Sequence, residues 1–82
     1  MPTVLRRGRL RIVIYTADHK PAHVHAIGPD GEAVFNLNCP TGPSELRENY
    51  GAKGRVLTDM ENLINDYINE LCRAWEGIHG IA

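Results

Sequence analysis

The stretch Ala22-His23-Val24-His25-Ala26-Ile27-Gly28-Pro29-Asp30-Gly31-Glu32-Ala33-Val34-Phe35-Asn36-Leu37-Asn38-Cys39 decides the fold. Two alternating runs flank residues 28–31, where Pro29 is preset for a bend and glycine can take positive φ. A hairpin closed there sets Ile27 against Glu32, Ala26 against Ala33, His25 against Val34, Val24 against Phe35 and His23 against Asn36. Val24, Ala26, Ala33, Phe35 and Leu37 then share an apolar face. A slip of one residue would bury the histidines and expose the apolar set, so the pattern specifies its own register.

Upstream, Arg9-Leu10-Arg11-Ile12-Val13-Ile14-Tyr15 alternates too. Leu10, Ile12 and Ile14 join the apolar face, while Arg9, Arg11 and Tyr15 join His23, His25, Asn36 and Asn38 on the other. Strands are predicted over residues 9–15, 22–27 and 32–39. Residues 40–54 are rich in Pro, Gly and Ser, with 45–50 as either a fourth edge strand or a turn of helix. From Val56 the period changes to 3.6: Val56, Met60, Leu63, Ile64, Tyr67, Ile68, Leu71, Cys72 and Trp75 form one stripe. This predicts a helix over 56–76, with Thr58 and Glu61 as a capping box, acidic first turns, and Gly77 and Gly80 as stop signals. The expected fold is α+β, a three- or four-stranded antiparallel β-meander packed against one long C-terminal helix.

The 82 residues carry a formal charge of −1. That length allows one domain, residues 1–82, with one small core, and excludes a multidomain enzyme with its own cofactor domain. Such a core rarely supplies more than about 3–5 kcal/mol, so a partner or self-association is expected. No apolar run is long enough to span a bilayer, and Met1-Pro2-Thr3-Val4-Leu5-Arg6-Arg7 lacks the apolar region of a signal peptide. Cys39 and Cys72, without a C-x-x-C spacing, read as reduced thiols of a cytoplasmic protein. The net charge also hides a dipole: residues 1–25 balance to +4, 26–55 to −1 and 56–82 to −4. The basic end can attract phosphates although the chain is nearly neutral.

Chemistry concentrates in Asp18-His19-Lys20-Pro21-Ala22-His23-Val24-His25. On a strand, His23 and His25 point to the same side with α-carbons about 6.6 Å apart. That separation suits two ligands of one divalent metal, with Asp18, His19 or Cys39 as the third. It equally suits an acid and a base flanking one reacting group. In that reading His23 and His25 act on an RNA or nucleotide phosphodiester, Asp18 or His19 orients one of them, and Arg9, Arg11 and Tyr15 hold the phosphate. The plainer alternative has Asp18 and His19 capping a turn before two solvated strand histidines. The arginine run can likewise be a charged edge strand that discourages pairing. Trp75, Tyr67 and Cys72 read as packing residues, and His79 receives no role.

Met1 to Leu5, Arg11 to Tyr15, the D-H-x-P-x-H-x-H run from Asp18 to His25, Gly28-x-x-Gly31-Glu32-Ala33 and Glu70-Leu71-x-x-x-Trp75 together resemble a small bacterial family, domain of unknown function 4160. The chain departs from it in lacking strand-one aromatics and in carrying Ala22 where many members have proline. The resemblance marks Asp18, His19, Pro21, His23 and His25 as signature positions. It implies a toxin component of a two-gene toxin–antitoxin-like module, held by a small protein encoded next door. A non-enzymatic module binding protein or nucleic acid is the contrasting expectation, and a metal-binding domain using His23 and His25 is the third.

Overall fold

The computed structural model describes residues 3–80. Five strands, β1 (Thr3–Arg7), β2 (Leu10–Val13), β3 (His23–Ile27), β4 (Glu32–Asn36) and β5 (Glu45–Tyr50), precede two helices, α1 (Gly54–Asp66) and α2 (Ile68–His79). The strands form one antiparallel sheet in the order β1-β2-β3-β4-β5. The central hairpin has the register expected from its sequence at all five pairs, His23–Asn36 through Ile27–Glu32.

The apolar face packs on both helices. Ile12, Ile14, Val24, Ala26, Phe35 and Leu37 form one buried cluster with Met60, Leu63, Ile64, Leu71 and Trp75. The helical stripe is therefore core, as its period requires.

Several expectations need correction. The meander has five strands, because β1 precedes the first predicted one and residues 45–50 are extended. The β1–β2 turn is Gly8-Arg9, with Gly8 at φ 58°, so the first predicted strand begins at Leu10 and Arg9 leaves the ladder. Both outer strands carry charges and a register shift, devices that blunt an open sheet edge.

The single helix is two, broken at Tyr67 (φ −121°). Asn65 and Asp66 before the break are poor helix formers. The Asn65 side chain accepts the Ser44 N–H at 2.8 Å, and Arg7 donates to the Tyr67 hydroxyl at 2.7 Å. The apolar stripe runs through the break unchanged, so periodicity does not register it. Because α1 starts at Gly54, Thr58 lies inside the helix with its hydroxyl on the Gly54 carbonyl, and α1 has no acidic first turn. Gly80, at φ 86°, ends α2, whereas Gly77 lies within it.

The cysteines are paired, not free. Cys39, just past β4, and Cys72, on α2, are 33 residues apart, yet their α-carbons lie 5.8 Å from each other in a disulfide. The pairing is created by the helix docking on the sheet, which residue spacing does not reveal. A loop of that length gains about 3–4 kcal/mol in the chain-entropy account, comparable to what so small a core provides. No helix among the described residues is long and apolar enough to cross a membrane.

Among the described glycines, Gly31 lies closest to neighbouring backbone, against the chain just after β5. A Cβ on Gly31 would lie 2.5 Å from the Ala52 nitrogen and the Gly51 carbonyl carbon, whereas nothing lies within 4 Å of one on Gly77. Gly31→Ala is therefore expected to lower unfolding free energy by about 2–3 kcal/mol. Gly77→Ala, at an exposed helical position, should raise it by about 0.5–1 kcal/mol. Urea unfolding of both variants checks the pair.

Candidate functional site

Asp18, His23 and His25 converge at the end of the sheet where the β2–β3 connection folds back. His23 and His25 share the polar face through their β3 register. Asp18 is carried to them by a turn: its N–H donates to the Tyr15 carbonyl at 3.1 Å, and its Oδ2 accepts the Tyr15 N–H at 3.1 Å. The His79 Nε2–H, from the last turn of α2, donates to the same carbonyl at 3.1 Å.

Each histidine is fixed through its Nδ1. The His23 Nδ1–H donates to the Pro21 carbonyl at 2.8 Å, and the His25 Nδ1–H to a Glu32 carboxylate oxygen at 3.2 Å. A carbonyl or an ionised carboxylate only accepts, so both protons must sit on Nδ1. In the neutral rings each Nε2 then offers a lone pair, and both lone pairs face Asp18. The His23 Nε2 lies 3.5 Å from Asp18 Oδ1, and the His25 Nε2 lies 3.3 Å from both carboxylate oxygens. The three ligand atoms all fall within 4.8 Å of one another.

The surroundings are mostly closed. Side-chain exposure is 7% for His23, 13% for Asp18 and 17% for His25. A run of rings encloses them: Tyr15 packs edge-on to His25 at 4.6 Å, His25 to His23 at 5.5 Å, His23 on Trp75 at 5.2 Å and Trp75 on His79 at 4.0 Å. His79 closes the run through the Tyr15 carbonyl.

Three acceptor atoms facing one another with little water need a positive charge between them. A proton on one Nε2 would give a charge-assisted hydrogen bond, for which about 2.7–2.9 Å is usual. The observed separations are longer. Metal bonds of about 2.0–2.2 Å in tetrahedral geometry put neighbouring ligand atoms about 3.3–3.6 Å apart, a range that includes both histidine–Asp18 separations. The other halves of both imidazoles and of the carboxylate are already occupied, as metal ligands require.

The remaining sequence candidates divide. Tyr15 reaches the cluster by its ring. Arg11 lies on the same sheet face, since it pairs with Ile27, two residues beyond His25. Arg9 does not join them, because its place in the β1–β2 turn puts it, with Arg7, in a cleft against Asp59, Asn62 and Asp66 of α1. His19 is exposed and outside the cluster. Cys39 is committed to its disulfide, so of the three candidates for a third ligand only Asp18 lies with the two histidines. Neither histidine is a solvated strand residue, as His23 is buried and His25 partly so.

Glu32, Trp75 and His79 belong to the site without having been singled out. The hairpin register already puts Glu32 on the histidine face, diagonal to His25. The i, i+4 spacing of Trp75 and His79 puts them on one face of a helix. Both protons on Nδ1 can be read directly: long-range 15N–1H correlation spectra near neutral pH should show the Nδ1–H tautomer for His23 and His25. An Nε2–H tautomer at either residue contradicts the geometry.

Residues 10–76 match the model of a family described as Domain of unknown function (DUF4160). No curated protein and no solved structure matches the chain.

Proposed function

The chain belongs to the DUF4160 family of domains of unknown function, and from that premise we propose that it is a divalent-metal-binding domain whose ligands are Asp18, His23 and His25. The observation that carries the reading is the pair of ligand-to-ligand distances, 3.5 and 3.3 Å about Asp18 Oδ1. They fall in the range expected for the edges of a tetrahedral site, and both Nδ1 protons are already engaged elsewhere, which leaves each Nε2 to face the carboxylate. Two imidazoles and a carboxylate suit zinc and its first-row neighbours rather than calcium or magnesium, which prefer all-oxygen shells.

Three protein ligands are the set of a catalytic rather than a closed structural zinc site, because a fourth position stays open to water or substrate. The finer reading is hydrolysis of a phosphodiester in RNA or a nucleotide. Arg11, on the same face as His25, supports it as the group that holds a phosphate oxygen, a task guanidinium performs bidentately. Asp18, His23 and His25 then act as ligands, and the acid–base exchange between two free imidazoles gives way to chemistry a bound metal supplies by lowering the pKa of its water. The pairing with a small neighbouring protein, as in a toxin–antitoxin-like module, rests on the family resemblance. Co-purification of the two gene products checks it.

Metal content is the direct test. Protein purified without an affinity tag and dialysed against trace zinc should hold one ion per chain by mass spectrometry. Asp18→Ala, His23→Ala and His25→Ala should each abolish stoichiometric binding. Glu32→Gln, which weakens the hold on His25, should cost about ten- to a hundredfold in affinity, and His19→Ala should leave affinity unchanged. Folded wild-type protein that takes up no zinc, cobalt or manganese overturns the reading. Arg11→Ala should leave metal content intact and raise KM for a phosphodiester substrate.

A further inference from the structure

The Cys39–Cys72 disulfide meets the chain on both sides of His23. Cys39 borders a surface cleft of about 230 Å³ with Pro21, Ala22 and Asn38. Pro21 supplies the carbonyl that holds the His23 Nδ1–H, and the Ala22 carbonyl accepts the Leu37 N–H at 3.0 Å, two residues before Cys39. At the other end, Cys72 lies one helical turn before Trp75, the ring packed 5.2 Å from His23. One half-cystine thus sits beside the backbone that orients His23, and the other on the helix that covers its ring.

We propose that this disulfide is a thiol-reducible latch on the Asp18–His23–His25 site, closed in the metal-holding form and opened by reduction; the inference rests on the metal reading above. The two sulfurs are unequally placed. Cys72 is 3% exposed, whereas Cys39 is half-buried at the open cleft, so a small thiol reaches Cys39 first. With glutathione as the reductant, its thiolate bonds to Cys39 Sγ and the Cys39–Cys72 bond breaks. The electron pair stays on Cys72 Sγ, which takes up a proton. A second glutathione thiolate then attacks the glutathione sulfur of the mixed disulfide and releases Cys39, which is protonated in turn. Two glutathione thiols become one glutathione disulfide, and the protein gains two electrons and two protons.

With the tether gone, the direct covalent cross-link between the segment after β4 and α2 is lost. The Pro21 carbonyl and the Trp75 ring then hold His23 less rigidly. Loss of such outer contacts typically costs about ten- to a hundredfold in metal affinity, and that is the size expected here. Linkage requires the reverse effect: bound metal must favour the disulfide over the dithiol by the same factor.

Zinc affinity is measured by competition with a chromogenic chelator in oxidised wild type and in Cys39→Ser/Cys72→Ala, which has no thiol to act as a new ligand. The proposal expects the variant to bind about ten- to a hundredfold more weakly and to be insensitive to reductant, with an unchanged circular dichroism spectrum. Equal affinity in the two proteins overturns the latch and leaves the metal site standing. Absence of zinc binding in oxidised wild type overturns both. Should the variant not fold, the wild type alone decides, in a glutathione redox buffer at fixed free zinc. Saturating zinc must shift its thiol–disulfide equilibrium toward the disulfide, and an equilibrium indifferent to zinc overturns the latch.

Discussion

Two imidazole lone pairs cannot stay 3.3–3.5 Å from one carboxylate in a nearly dry corner without a positive charge among them. Much of the surrounding structure holds them in that position. The strand register puts His23 and His25 on one face, and the Tyr15–Asp18 turn brings the carboxylate over them. Pro21 and Glu32 engage both Nδ1 atoms. α2 adds Trp75 against His23 and His79 against the Tyr15 carbonyl. This is the supporting arrangement that metal sites use to orient ligands, and it involves the sheet, the connection and the second helix at once.

A domain this small has little free energy with which to hold several polar groups together away from water. The disulfide supplies part of the answer. It fixes α2 to the end of β4 at the place where Trp75 and His79 meet the cluster. The core that the apolar stripe builds and the staple across it therefore serve the same corner of the molecule. The disulfide reinforces the small core from within the chain.

What could be read in the sequence was whatever depends on local alternation and turn chemistry. The 22–39 hairpin, its register, the apolar face and the pairing of His23 with His25 on the other face all follow from period-two spacing around Gly28-Pro29-Asp30-Gly31. Asp18 was legible as one of three candidate third ligands, but choosing it over His19 and Cys39 required the turn that bends its carboxylate back. The features that stayed hidden depend on contacts between distant segments. Tyr67 breaks a helix whose stripe does not change, and Cys39 meets Cys72 only after docking. Arg9 leaves the strand because Gly8 turns the chain, so the arginine expected beside the histidines faces α1 instead. His79 acquires its part from a carbonyl 64 residues away.

The central claim is that one metal ion lies among Asp18, His23 and His25, and X-ray absorption at the zinc edge of the loaded wild-type protein tests it most directly. The account predicts a first shell of nitrogen and oxygen at about 2.0–2.2 Å with no sulfur, and the outer-shell scattering pattern of two imidazoles. A sulfur shell, or a shell of oxygen alone without imidazole scattering, would contradict it.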